Sequence, residues 1–201
     1  MILPLIVLAA GTSSRTGGGG GHKLLATRQG VPLVRHVVLA ALGATPRPIW
    51  VVTGAEHPAV TRALSGLPVF LLHHAGFAGG LGGSLAAGVG AALPRQPCGV
   101  VVMLADMPRI TPAHIDAVVR AFHREGGRAV VRAGAGGVAG HPVAMPAEVL
   151  PSLARARGDD GARAVLARSG LRQVCVEIGP AALADADTTA ELSALGFHRS
   201  G

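Results

Sequence analysis

Leu5-Ile6-Val7-Leu8-Ala9-Ala10-Gly11-Thr12-Ser13-Ser14-Arg15-Thr16, then Gly17 to Gly21, His22 and Lys23, is the stretch on which the fold turns. Residues 4–10 are a short, unbroken apolar run closed by a small-residue turn, the pattern of a strand buried on both faces. The loop that follows carries the chain's only lysine, Lys23, against seventeen arginines. A bystander cation in this chain would be an arginine. A lone lysine in the first strand-to-helix loop points to a task the guanidinium does not fill. Its ammonium is a compact point charge with three rotatable donors, suited to a phosphate approached from one side. The loop therefore reads as a grip for a nucleoside triphosphate.

Outward from this loop the same pattern repeats. Apolar runs at 49–53, 69–72 and 99–105 predict further buried strands, with helical periodicity at 32–42, 58–64 and 84–93 between them. Thr111-Pro112 is an N-cap followed by proline at the first helical position, and predicts a helix to 122–124. Strands are expected at 130–132, 138–145 and 172–178, and helices at 146–154, 160–168 and 188–195. Strand and helix alternate throughout, which predicts a three-layer α/β fold on a mainly parallel sheet, in one domain spanning residues 1–201. Ligands of such sheets bind at the carboxyl ends of the strands. Segments 11–23, 73–83, 106–110 and 133–142 are expected to converge there, with 134–140 as a mobile active-site loop.

Composition narrows the function classes. Hydrophobic residues make up 49% but aromatics only 2%, with no tyrosine, so the core must be Ala, Val and Leu. The net charge of +7 suggests a polyanionic partner. Nucleic acid is disfavoured, because arginines such as Arg28, Arg47, Arg95, Arg120, Arg132, Arg155 and Arg172 are scattered and no basic run is interleaved with aromatics. Cys98 and Cys175 stand apart, without zinc or disulfide spacing. The apolar start lacks a basic lead and is too short to cross a bilayer, so a cytoplasmic protein with no membrane partner is expected.

The loop lacks the features of three familiar motifs. A P-loop needs glycine before the lysine and Ser or Thr after it, where His22 and Leu24 stand; a dinucleotide fingerprint needs glycines where Ser13 and Thr16 stand. A nucleophile elbow at Ser13 needs glycine at Arg15, and one at Ser84 lacks its final glycine. Elsewhere, Val100 to Ala105 run into Asp106 at a strand end, and Thr111 is the better helix cap, which leaves that carboxylate free. Asp185 and Asp187 alternate on a short extended segment and so share a face, although Asp187 or Thr188 could instead cap the last helix. Small residues from Gly79 to Gly83 and a capping Ser84 open another helix, where amides favour an anion or the polar edge of a base.

Leu8-Ala9-Ala10-Gly11-x-Ser13-x-Arg15, then glycines and Lys23, resembles the opening of nucleotidyltransferases with the Rossmann-like nucleotide-diphospho-sugar-transferase fold. It is most similar to the molybdenum cofactor branch (MobA/MocA-like), nearest the cytidylyltransferases. The resemblance implies that Leu8, Ala9, Ala10 and Gly11 hold the triphosphate through backbone amides, with Arg15 and Lys23 as catalytic residues offsetting phosphate charge. Thr16 replaces the usual Met, and the glycine stretch is longer. Asp106-Met107-Pro108 resembles the family's Gly-Asp-Met-Pro element, with Ala105 for glycine, and implies Mg²⁺ on a catalytic Asp106. Asp185-Ala186-Asp187-Thr188 resembles the element before the family's last helix, with Thr189 for proline; it implies a second metal ligand, Asp187 favoured over Asp185.

Gly82, Ser84 and Leu85 lie in a segment similar to the cytidylyl branch's Gly-Met-Ser-Ser-Ser-Leu, which implies a nucleotide contact. Ala10, where guanylyl members have glycine, narrows the base pocket and favours cytosine. Gly140-His141-Pro142 and Gly158 to Arg163 resemble acceptor-side elements, which assigns His141 and Arg163 to acceptor binding. The implied reaction is Mg²⁺-dependent transfer of CMP from CTP to the phosphate of molybdopterin, with release of pyrophosphate. GTP or a sugar or alcohol phosphate are alternatives, as is a non-catalytic cofactor chaperone. A transient contact with a molybdenum hydroxylase that receives the cofactor is also implied.

Overall fold

The computed structural model describes residues 2–11, 22–45, 47–158 and 161–199. The first strand, β1 (Leu5–Ala9), is buried at every position. After the loop, β2 (Thr27–Arg28) and β3 (Val31–Pro32) form a small antiparallel hairpin that the sequence pattern did not suggest. Gln29 and Gly30 both have positive φ, as a two-residue primed turn requires. Then come α1 (Leu33–Gly43), β4 (Ile49–Thr53), α2 (His57–Ala63), β5 (Phe70–His73), α3 (Leu81–Ala92), β6 (Gly99–Leu104) and α4 (Pro112–Arg124). The chain continues through β7 (Val130–Ala135), β8 (Val138–Pro146), α5 (Leu150–Leu153), α6 (Gly161–Arg168), β9 (Gln173–Glu177) and α7 (Thr189–Ala194).

Among the described residues the main sheet has seven strands in the order β5-β4-β1-β6-β8-β7-β9. The pairings β1–β4, β1–β6, β4–β5 and β7–β9 are parallel; β8 runs antiparallel to both β6 and β7. Side-chain alternation splits the core in two. Leu5, Val7, Ile49, Val51, Val101 and Met103 face one layer, built from α1, α2, α4 and α7. Ile6, Leu8, Val52, Val100, Val102 and Val143 face the other, from α3, α5 and α6. The expected three-layer architecture is present, and all the strands predicted from apolar runs occur. Among the described residues no helix is long and apolar enough to cross a membrane.

Three expectations need correction. Segment 134–140 is not a mobile loop but the turn of the β7–β8 hairpin, where consecutive Gly136 and Gly137 at φ 56° and 83° supply the primed turn. The helix expected over 146–154 is one 3-10 turn (Ala147–Val149) and one α turn, because Pro146 still pairs with Gly99 as the end of β8. And α3 begins at Leu81, not Ser84. Gly80 at φ 97° starts it, so Ser84 lies inside the first turns and caps nothing.

Close approach of α3 to the sheet depends on glycine. A Cβ at Gly88 would lie 2.7 Å from Ile6 Cγ2 and 3.0 Å from Val52 Cγ2, whereas one at Gly90 would meet nothing within 4 Å. Alanine gains about 1 kcal/mol over glycine in a helix interior, and overpacking costs about 1–3 kcal/mol. Gly90→Ala should therefore stabilise the protein by up to about 1 kcal/mol in urea unfolding, and Gly88→Ala should destabilise it. Equal effects would contradict this packing.

Candidate active site

The carboxyl end of β1 passes into Ala10 and Gly11, and the chain is described again from His22. The two ends are pinned together, since His22 Nε2 lies 2.7 Å from the Gly11 carbonyl. Burial lowers the His22 pKa against the opposing pull of that carbonyl. Arg15, assigned a catalytic role above, lies outside the described residues. Lys23 opens a 3-10 turn (Lys23–Leu25) in which Lys23 and Leu24 are buried, so the backbone beneath the ammonium is anchored by packing.

The Lys23 ammonium donates to Asp106 Oδ2 and to Asp187 Oδ1, each at 2.6 Å. Asp106 stands two residues past β6, in the turn that the strand's hydrophobic run delivers to the sheet's edge. Asp187 arrives from the far end of the chain, and the Ala186 N–H donates to the Asp106 carbonyl at 2.9 Å, which ties the two segments together. Both acids are free of capping duty. Thr111 caps α4, and Thr188 caps α7 in a reciprocal box with Glu191. Of the two acids offered as a second metal ligand, Asp187 is the one that meets Lys23.

The electrostatics follow from this convergence. Burial acts to lower the Lys23 pKa, but Asp106 and Asp187 outweigh it and hold it above the usual lysine value. Asp185, exposed alongside, is raised by desolvation and by the charges of Asp187 and Asp106. Asp106 Oδ1 is enclosed and has no hydrogen-bond partner. Two carboxylate oxygens directed at one cation, with a third oxygen unsatisfied, fit a divalent ion. Among the described residues no group of three acids, histidines or cysteines forms a complete metal cage. Mg²⁺ needs none, since it commonly takes one or two carboxylates plus phosphate oxygens and water.

The remaining predicted residues flank this centre. Leu8, Ala10 and Leu85 share one packed cluster, which brings the first loop against the start of α3. Gly82 and Ser84 are buried there. The Gly82 N–H donates to the Gly158 carbonyl at 3.0 Å, and a Cβ at Gly82 would collide with that oxygen. On β8, His141 lies beside β6 with Nδ1 3.5 Å from the Val102 carbonyl. Burial lowers its pKa, the Val102 contact and Asp106 pull it up, and Arg132 pushes it down. Arg163 is exposed on α6; Asp159 and Asp160 before it lie outside the described residues. Sequence reasoning missed two neighbours. His74 has an enclosed, unpartnered Nε2 at the start of α3, facing Gly83. Arg132 had been counted among the scattered arginines.

A mainly parallel sheet whose carboxyl end gathers a loop lysine and two converging carboxylates defines an α/β protein with a charged site at its strand ends. The model of the MobA-like NTP transferase domain matches residues 5–174, and the chain belongs to that family of nucleotidyltransferases. Among solved structures, a nucleotidyl transferase from Methanothermobacter thermautotrophicus is similar, with a TM-score of 0.81 at 25% identity over 96% of this chain and 95% of that one. Rv0371c from Mycobacterium tuberculosis H37Rv has a TM-score of 0.80 at 23% identity over 98% of each chain; it has also been solved with manganese. CMP:2-keto-3-deoxy-manno-octonic acid synthetase, solved with CTP, shares the fold with a TM-score of 0.77 at 15% identity, over 98% of this chain and 97% of that one. Comparison with the curated proteins gives no match.

Two predictions test the site's physics. Lys23→Met would leave Asp106 and Asp187 facing each other. Their side chains are 16% and 32% exposed, which trims the ~3–5 kcal/mol of a fully buried broken pair to about 1–3 kcal/mol. Urea unfolding should show that loss, and millimolar Mg²⁺ or Mn²⁺ should restore more stability to the variant than it adds to wild type. Unchanged stability would contradict the bridge. His141 has a folded pKa below 6.5, so the unfolded chain takes up its proton first and stability falls as pH drops below about 6.5. His141→Asn should flatten the fall in Tm between about pH 6.5 and 5; an unaltered slope would contradict the shift.

Proposed function

We propose that the protein is a divalent-metal-dependent nucleotidyltransferase that moves CMP from CTP to the phosphate of molybdopterin. In this reaction an acceptor phosphate oxygen forms a bond to the α-phosphorus of the triphosphate. The bond between the α-phosphorus and its bridging oxygen breaks, and pyrophosphate leaves. The observation that supports this most is the meeting of Lys23 with Asp106 and Asp187 at one point. A non-catalytic carrier has no need of two carboxylates converging on a cation position.

Asp106 and Asp187 are the residues that would hold the metal, which supplies charge neutralisation on the phosphates and polarises the α-phosphate. The manganese complex of Rv0371c supports a divalent ion in this fold. Lys23 is the residue that turns to the triphosphate tail, where its ammonium stabilises the charge that builds on the leaving pyrophosphate. Arg15 shares that task in the same loop. The turn from Leu8 to Gly11, with Ala9 and Ala10, and the start of α3, with Gly82, Ser84 and Leu85, position the nucleotide, and positioning accounts for most of phosphoryl-group catalysis. Ala10 narrows the base pocket, and the CTP complex of the octonic acid synthetase supports a cytidine nucleotide in this fold. His141 and Arg163 bind the acceptor. The chain works as one domain in the cytoplasm.

Pyrophosphate release measured with each of four nucleoside triphosphates and Mg²⁺ or Mn²⁺, with and without molybdopterin, tests this function. CTP with molybdopterin should give the fastest release. Lys23→Ala should lower the rate on the order of 10²–10³-fold, by analogy with removing one preorganised charge donor. Release with a sugar or alcohol phosphate but not molybdopterin would overturn the acceptor. Normal release by Asp106→Ala would overturn the metal role.

A further inference from the structure

Among the described residues, Arg132 is a charge inside the sheet without a matching acid. It sits in the middle of β7, half-buried between buried Val131 and Ala133. Its Nε is enclosed and has no hydrogen-bond partner, and among the described residues it makes no ion pair. Its register partners are Val143 on β8 and Cys175 on β9; neither supplies a negative oxygen. Alternation fixes its face. Val130 and Val143 pack in the cluster covered by Ala162, Val165 and Leu166 of α6, so Arg132, two residues beyond Val130, lies on the α6 side.

Among the described residues, the charged group that acts on Arg132 from α6 is positive. Burial lowers the Arg132 pKa and Arg163 on α6 pushes it the same way, against a smaller upward pull from Cys175. His141 feels the charges of both Arg132 and Asp106, and its strand β8 lies between β6, which leads to Asp106, and β7, which carries Arg132. A partly desolvated guanidinium beside another cation is unfavourable until an anion joins it. The chain's surface arginines need no such explanation; a half-buried one with an enclosed Nε does. Guanidinium also binds phosphate or carboxylate through two parallel hydrogen bonds, which fixes orientation as well as charge.

On the basis of the nucleotidyl-transfer reading, we infer that Arg132 is an acceptor-binding residue whose guanidinium holds an oxyanion of the acceptor on the α6 side of His141. The acceptor is thereby required to be anionic, and its reacting group is presented toward Asp106 and Lys23.

The test uses the full chain saturated with CTP and Mg²⁺, which fills the triphosphate site, and titrates inorganic phosphate or malonate by calorimetry. Wild type should bind at least one, and the preferred probe distinguishes a phosphate from a carboxylate acceptor. Arg132→Gln should weaken that anion at least tenfold while CTP affinity stays within twofold, and Arg132→Lys should recover part of the loss. Without ligand, Arg132→Gln should melt no lower than wild type, because an uncompensated buried charge has been removed. A variant that fails to fold or melts lower overturns the inference by giving Arg132 a structural role. Unchanged anion affinity, or a wild type that binds CTP but neither anion, also overturns it while leaving nucleotidyl transfer standing. A wild type that binds no nucleotide overturns both.

Discussion

One ammonium group joins three parts of the chain that are far apart in sequence. Lys23 comes from the first loop, Asp106 from the end of a central strand and Asp187 from the segment before the last helix, and both oxygens lie 2.6 Å from its nitrogen. Two carboxylates at this separation would repel, and their charges add to the desolvation that raises the pKa of Asp185 beside them. A cation at their centre is therefore a condition of the local fold. In the structure that cation is lysine, at the position that suits a divalent ion. In the proposed function Lys23 has two states, one as counter-ion to the acids, seen here, and one released to a phosphate tail.

The rest of the architecture serves to place these groups. A core built from alanine, valine and leucine lets helices approach the sheet closely, as α3 does where Gly88 meets Ile6 and Val52. The start of α3 packs beside Ala10 through Leu85. β8, running against its neighbours, carries His141 to the side of β6 opposite β1, whose exit leads toward Lys23. The groups proposed for nucleotide and acceptor thus lie on either side of β6, the strand that leads to Asp106.

Much of this was legible in the sequence because buried parallel strands write continuous apolar runs. Val100 to Leu104 could be read as a strand, and Thr111 as the cap that freed Asp106, from local chemistry alone. Asp187 could be paired with Asp106 only by resemblance, since no local pattern reports a contact across 81 residues, 187 minus 106. Glycine misled in two places. Gly136 and Gly137 read as a loose loop but fold as a tight hairpin turn, and Gly80 rather than Ser84 opens α3. Arg132 was hidden by composition, because in a chain so rich in arginine only burial distinguishes one guanidinium from another.

A crystal structure of the protein with Mg²⁺ and CTP tests the central claim most directly. The account predicts Mg²⁺ about 2.0–2.1 Å from oxygens of Asp106 and Asp187, with the Lys23 ammonium moved off both carboxylates and onto the triphosphate. A nucleotide bound elsewhere, with Lys23 still bridging the two acids, would contradict it.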